Sequence, residues 1–236
     1  MYFKCIAKYR YHKRMSIRML PQAPKNLVLP AAAPSRRRRC GSAGTLLLIA
    51  TMLALATAAH GSQPMDAFRK SVDDGLRILE DPYYQSADHK ALQQHQLRQL
   101  LYRDFDFTEF SKRVLADKWA LFTTLQRIEF VEVFSHFLAD YYLARLQEYY
   151  TNEKVVLHGQ ELIGRDRAVV RSGVIWRNRE FPVEIRMHAS GGIWKIYDVR
   201  VIGISAVQIY RAQLQEIMRT HSPAQVIELI KQRGAE

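Results

Sequence analysis

The period of the apolar residues changes once along this chain, near Asn152, and the change limits the fold to one in which helices precede a sheet. Before that point, apolar side chains recur at helical spacing, as Phe68, Val72 and Leu79 do. After it they alternate with polar ones. The alternation predicts four strands, at 155–162, 168–176, 181–187 and 193–204. The turns between them are short, which requires antiparallel pairing.

The helical part divides at its own start and stop signals. A first helix from Met65 is stopped by Asp81-Pro82, and a second spans about 86–103. Capping boxes at 106–109 and 123–126 begin two more, and the last of these, apolar on two stripes, is predicted to be a central helix covered on two sides. Two helices follow the strands, at 208–220 and from Ser222-Pro223 onward. The prediction is an α+β fold, with N-terminal helices and a C-terminal helical pair on one face of a curved antiparallel four-stranded sheet.

The net charge of +12 is carried almost entirely by the first quarter of the 236 residues. Residues 1–59 hold 11 of the 35 Lys and Arg and none of the 23 acids. The remainder is close to neutral, so we expect no nucleic-acid partner. Both cysteines, Cys5 and Cys40, lie in the same first quarter, so the remainder can form no disulfide.

The first quarter has the pattern of an export signal. Four arginines, 36–39, precede an apolar run at 44–56, and Ala56-Thr57-Ala58 supplies a small-x-small cleavage site. We expect cleavage after Ala58, which divides the chain into a basic presequence and signal peptide, 1–58, and a single domain, 59–236. The alternatives are an uncleaved membrane anchor at 43–59 and a twin-arginine signal.

No constellation of residues indicates catalysis, a metal site or a cofactor. The chain has no Gly-x-Ser-x-Gly elbow, no histidine pair with zinc-ligand spacing and no glycine-rich phosphate loop. Asp198 is the most conspicuous polar residue, because it lies inside an apolar β-rich run. It is either a catalytic or ligand-binding carboxylate, or a structural one that accepts from the backbone or pairs with an arginine such as Arg200 or Arg211. The structural interpretation is preferred, because a lone acid cannot supply general acid/base chemistry.

Two blocks of sequence resemble a known family. The stretch 194–211 contains Trp194, Lys195, Tyr197, Asp198, Gly203, Ser205, Tyr210 and Arg211. A second block contains Asp106-Phe107, Val114-Leu115, Trp119, Gln126-Arg127, Phe130, Phe134, Leu138, Tyr141 and Tyr149. Together they resemble the MlaC family, or toluene-tolerance family, of Gram-negative periplasmic phospholipid-binding proteins. The resemblance covers about residues 64–233.

The resemblance implies a cone related to nuclear transport factors, with an apolar pocket for phospholipid acyl chains. It also implies a monomeric periplasmic carrier without a cofactor. Such a carrier ferries lipid between an outer-membrane lipoprotein complex and an inner-membrane ABC transporter complex, and so maintains outer-membrane lipid asymmetry. Apolar character and position then predict a pocket lining of Trp119, Phe134, Leu138, Tyr141, Val170, Val174, Ile185, Trp194 and Tyr197. The structural signature is Asp198, Gly203, Ser205 and Arg211.

The chain also departs from the family pattern. Ala116 stands where a glycine is usual, Ala212-Gln213-Leu214 follows Arg211 in place of Ser-Gln-Phe, and Ser222-Pro223 opens the last helix. Three alternatives remain: a carrier of hopanoids, as in the related HpnM branch, or of another apolar molecule; a periplasmic hydrolase that uses Asp198; and an adaptor protein with a filled core.

Overall fold

The structure, a computed structural model, describes residues 63–234. The expected signal peptide, the cleavage site after Ala58 and the boundary between the two segments lie outside the described residues. Six α-helices are described: α1 (Pro64–Glu80), α2 (Lys90–Asp104), α3 (Phe107–Leu115), α4 (Thr124–Tyr149), α5 (Ala206–Ile217) and α6 (Pro223–Gly234). Five strands lie between α4 and α5: β1 (Lys154–Ile163), β2 (Arg167–Trp176), β3 (Arg179–Ser190), β4 (Ile193–Val201) and β5 (Ile204–Ser205). Short 3-10 helices occupy Pro82–Gln85, Ala87–His89 and Ala116–Leu121.

The sheet is an antiparallel meander in the order β1-β2-β3-β4-β5, and it is not closed. The predicted mixture of helices with an antiparallel sheet is confirmed, but the prediction of four strands is wrong. The predicted last strand, 193–204, is broken at Ile202 and Gly203, whose φ angles are 50° and 76°. Two consecutive residues with positive φ form the tight turn of a hairpin. The chain therefore reverses there, and β5 pairs back onto the end of β4.

Two β-bulges interrupt the ladder. One lies between Leu157 and Gly159 of β1, and the other leaves Tyr197 as the extra residue of β4, between Ile196 and Asp198. A bulge bends its strand and increases the local twist. The second also shifts the alternation of β4 by one residue, which decides which side chains of that strand share a face.

Helices α3 and α4 begin at side-chain caps that the sequence predicts. Thr123 forms a full capping box with Gln126 at the start of α4. Before α3, the side chain of Asp106 accepts a hydrogen bond from the Glu109 amide. Each such cap satisfies a backbone N–H that has no partner within the helix and contributes about 1 kcal/mol.

Buried apolar residues form three clusters. The largest joins α3, α4, α5 and α6 around Phe110, Phe130 and Phe134. A smaller one joins α1 to α2 and α4. The third packs α1 against the sheet. Helix α4 supplies Phe134 to the first cluster and Leu143 to the second, so the predicted central helix is indeed covered on two sides.

Candidate functional site

One face of the sheet is apolar, and within residues 63–234 helix α1 is the helix that packs on its buried cluster. Phe68 of α1 packs there against Val170 and Ile185, and the backbone N–H of Met65 donates to Gln160 Oε1 of β1 at 2.8 Å. Other side chains of this apolar face remain only partly buried: Leu157, Val183, Trp194, Ile196 and Val199. Helix α1 therefore leaves part of an apolar wall accessible, whereas a filled two-layer core would bury it fully.

The bulge in β4 determines which residues belong to this wall. Ile196 and Val199 both pack toward α1, although they are three positions apart. Tyr197 and Asp198, between them, contact the helices instead. The guanidinium of Arg113 in α3 lies 4.1 Å from the centre of the Tyr197 ring.

The nine predicted pocket residues are divided among these surfaces. Val170, Ile185 and Trp194 lie on the apolar face of the sheet, and the register of β2 puts Val174 on the same face. Three others belong to the helical core, where Phe134 and Leu138 are buried and Trp119 is half-buried. Tyr141 is half-buried on α4 with the Arg145 guanidinium 3.5 Å above its ring, and Tyr197 lies on the other side of β4. The structure thus brings four of the nine together on one wall.

The site meets the helical core at the segment between α2 and α3. Phe105 forms an isolated parallel β-bridge with Ile196 of β4. The Asp106 amide donates to the Ile196 carbonyl oxygen at 2.7 Å. The Phe105 ring packs against Phe107 and Phe110, so this bridge connects the wall to the helices. The sequence analysis missed this junction, because nothing in the sequence pairs residues that are about 90 positions apart.

Asp198 is a structural carboxylate at the start of α5. It is 1 % exposed, accepts from Ser205 Oγ at 2.7 Å and accepts from the Val207 amide at 3.1 Å. The predicted hydrogen bond to the backbone is confirmed. The suggested pairing with Arg200 or Arg211 is wrong. The arginine near Asp198 is Arg186, whose Nη1 lies 3.9 Å from the carboxylate.

Those two arginines have other roles. Arg200 pairs with Glu184 at 3.0 Å, and Arg211 donates two hydrogen bonds, of 3.0 and 2.6 Å, to the Arg113 carbonyl oxygen. Near the C-terminal end of α3, that oxygen has no helical partner of its own.

The four signature residues therefore act on the architecture. Gly203 makes the turn between β4 and β5, and Ser205 caps α5 by accepting from the Gln208 amide at 3.2 Å. Asp198 holds Ser205, and Arg211 ties α5 to α3. All four serve the strand-to-helix connection and its contact with α3.

A polar cavity of about 590 Å³ lies apart from the wall, between α1, α2 and the end of α4. Gln93 and Gln147 line it and hydrogen-bond to each other at 3.0 Å. Tyr150 donates to Glu80 at 2.6 Å, and burial together with that carboxylate raises the pKa of the Tyr150 phenol above its ordinary range. None of the nine predicted pocket residues lines this cavity.

Within residues 63–234, no group of three or more His, Cys, Asp or Glu side chains is placed to hold a metal ion. None of the helices in this range combines the length and the apolar character that crossing a bilayer requires.

One comparison with known proteins identifies a family. The family model described as MlaC protein matches residues 69–232. A phospholipid-binding protein from Ralstonia solanacearum, solved in complex with a phospholipid, superimposes with a TM-score of 0.63 at 21% identity over 74% of this chain and 98% of that one. At this identity the likeness establishes the fold. A designed protein with a curved β-sheet covers 27% of this chain and 59% of its own at 21% identity, and its TM-score of 0.23 carries no argument. No curated protein sequence matches.

Proposed function

Because the chain belongs to the MlaC family, we propose that it is a periplasmic carrier that binds the acyl chains of a phospholipid and moves the lipid between the two membranes. The observation that carries the proposal is the partly covered apolar wall of the sheet. A protein that binds lipid needs apolar surface that its own core does not consume. Each acyl methylene removed from water contributes about 0.8 kcal/mol, so such a surface binds chains without specific chemistry.

The acyl chains would lie against the half-buried part of the wall. Trp194, Ile196 and Val199 offer partly exposed apolar surface there. The other five predicted lining residues lie on the helices or on the other side of β4, so acyl chains on the wall would not contact them. The headgroup would remain in water outside the apolar wall, because transferring its charges into apolar surroundings is costly.

The proposed partners are an inner-membrane ABC transporter complex and an outer-membrane lipoprotein complex, between which the carrier would act as a monomer. The hydrogen bonds and the burial of Asp198 support a carrier over an enzyme. The two Asp198 carboxylate oxygens accept from Ser205 and the Val207 amide, and the residue is 1 % exposed. A carboxylate held in this way supports a helix start and does not face a substrate.

The first test is native mass spectrometry of the protein purified from the periplasm, followed by lipid extraction. One diacyl phospholipid for each protein molecule would support the proposal. A protein that carries hopanoid would support the related branch. A protein that is empty and stays empty when offered phospholipid vesicles would contradict lipid carriage.

A matched pair of variants tests the position of the ligand. Val174 and Ile175 are neighbours in β2, both half-buried, and alternation puts them on opposite faces. We expect Val174→Glu to lose bound phospholipid, because it introduces a charge into the apolar wall. Ile175→Glu should retain it. Circular dichroism confirms that each variant is folded, and equal lipid content in the two variants would contradict this position.

A further inference from the structure

Two hairpin turns project side by side from one end of the sheet. The register aligns Ile163 with Arg167, Arg167 with His188, and His188 with Lys195, so the β1–β2 and β3–β4 turns lie at the same end. The Ala189 amide donates to the Asp166 carbonyl oxygen at 2.7 Å and holds the turns together. We call this end the sheet tip; its side chains are Leu162, Ile163, Arg165, Arg167, Ile193 and Lys195.

The tip exposes large apolar side chains. Leu162, Ile163 and Ile193 are 56%, 40% and 62% exposed. Single exposed apolar residues are ordinary, but a group on adjacent turns is typical of a contact surface. The hydrogen bond between the turns holds the backbones of the two hairpins together at this end, with Leu162 on one face of the sheet and Ile163 and Ile193 on the other.

The same tip is positively charged. Arg165 and Arg167 are exposed and Lys195 is half-buried at this end of the sheet, and the exposed Asp166 lies 3.9 Å from the Arg167 Nε. In the part of the chain that the structure describes, Arg165 and Lys195 form no ion pair. The sheet as a whole is also positively charged, since residues 154–205 carry nine Lys or Arg and five Asp or Glu. The helices before it are negatively charged, since residues 63–153 carry eleven Lys or Arg and fifteen Asp or Glu. An anionic partner would therefore be drawn to the sheet in preference to helices α1 to α4.

We infer that the sheet tip contacts the surface of an anionic lipid bilayer. Leu162, Ile163 and Ile193 would enter the boundary between headgroups and acyl chains, while the three cations lie at the phosphates. This inference rests on the proposed function, because a carrier that exchanges lipid with two membrane complexes comes close to the bilayers in which they lie. An acidic protein fits less well. A stable protein interface buries about 800 Å² on each side around a packed core, and three side chains on two turns provide little of that area.

Vesicle flotation tests the inference. The protein purified from the periplasm is mixed with vesicles of phosphatidylcholine alone or of phosphatidylcholine with phosphatidylglycerol, at low and high salt. One variant combines Leu162→Ser, Ile163→Ser and Ile193→Ser, and another combines Arg165→Gln, Arg167→Gln and Lys195→Gln. The control, called the α4 variant, removes an apolar group at least as exposed on average, by Leu121→Ser just before α4 and Leu125→Ser and Ile128→Ser in its first turns.

We expect binding to the anionic vesicles that weakens with salt. Removing the three cations should reduce it about 100-fold, at roughly fivefold for each cation near an anionic surface. The apolar tip variant should also lose binding, and the α4 variant should keep it. Loss in the α4 variant alone, or a wild-type protein that floats with neither vesicle, would overturn the inference. Binding of the tip only to an acidic protein would do the same.

The phospholipid content of each variant separates this inference from the proposed function. Tip variants that retain lipid but do not float leave the carrier proposal intact and support the membrane contact. A wild-type protein that floats but never contains lipid would instead contradict carriage while the membrane contact stands.

Discussion

His188 Nε2 lies 2.9 Å from Asp106 Oδ2, so a residue of β3 meets the residue that precedes α3. The other carboxylate oxygen of Asp106 accepts from the Glu109 amide at 2.8 Å and caps α3. The Asp106 amide in turn donates to the Ile196 carbonyl oxygen of β4. One residue therefore fixes the start of a helix to two strands, at the junction between the helical core and the apolar wall.

We expect Asp106→Ala to lower the free energy of unfolding by about 2 kcal/mol, because it removes a helix cap and a hydrogen bond to a charged group. Urea unfolding followed by circular dichroism measures the change. Asp117→Ala is the matched control, since Asp117 is 69% exposed and its ion pair is with the neighbouring Lys118 at 3.5 Å. The control should change stability by less than about 0.5 kcal/mol. Equal effects of the two substitutions would show that Asp106 does not anchor the junction.

Asp198→Asn should destabilise the protein by about 2 kcal/mol without removing bound phospholipid. The amide retains an acceptor for the Val207 N–H, but it loses the charge near Arg186 and the acceptor for the Ser205 hydroxyl. Denaturant unfolding and lipid extraction from the same preparation check both parts.

The control for Asp198 is Glu184→Gln on the neighbouring strand. Glu184 is 38% exposed and pairs with Arg200 at 3.0 Å, so neutralising it should cost less than about 0.5 kcal/mol. A hydrolase would behave differently: Asp198→Asn would leave stability unchanged and abolish turnover of a lipid ester.

Local sequence patterns predicted the elements well where each pattern has one structural meaning. The alternation of Val183, Ile185 and Met187 placed β3 correctly and identified its apolar face, and these residues pack in the cluster with α1. The capping box at Thr123 located the start of α4. At β3 and at the start of α4, the structure that the local sequence favours is also the one that the packing stabilises, so the local sequence was enough to predict it.

The sequence did not predict the details that depend on one inserted residue or on distant contacts. The bulge at Tyr197 shifts the alternation of β4, so that Val199 lies on the wall with Ile196, while Tyr197, predicted to line the pocket beside Trp194, lies on the other side. A bulge leaves the composition of a strand unchanged. Asp106 and His188 are 82 positions apart, and no local pattern relates them.

The stability that Asp74 contributes should depend on pH. Asp74 in α1 lies 2.8 Å from Lys70 and 2.8 Å from Arg103 of α2. Hydrogen bonds from Lys70 and Arg103 hold the pKa of its carboxyl below the ordinary value. Because the folded pKa is the lower one, the contribution is present above the unfolded pKa of about 4 and is lost as the pH falls through the folded pKa.

The measurement compares the unfolding free energy of the wild type with that of Asp74→Asn between about pH 3 and pH 7. We expect a difference of less than about 1 kcal/mol, since the basic partners are exposed, and it should be constant near neutrality and shrink below about pH 4. Asp73→Asn, at the exposed neighbouring position, is the control and should show no such trend. A difference that grows as the pH falls would contradict the assigned sign.

Ala116→Gly should stabilise the protein. Ala116 ends α3 with a φ of 50° and a ψ of −121°, a conformation that costs a residue with a side chain about 1–3 kcal/mol and glycine little. This is the position at which the family resemblance leads one to expect glycine. Glycine also has more conformational freedom in the unfolded chain, which offsets part of the stabilisation. The net increase in unfolding free energy should therefore be about 1 kcal/mol.

The matched control for Ala116 is Ala120→Gly in the same 3-10 helix, where the backbone has no positive φ. There the substitution adds unfolded-state freedom without relieving strain, so it should destabilise by about 0.5–1 kcal/mol. Opposite signs at the two positions, measured by urea unfolding, would identify backbone conformation as the cause. Destabilisation at both would mean that the α3 terminus accommodates alanine without strain, and that the departure from the usual glycine has no energetic cost.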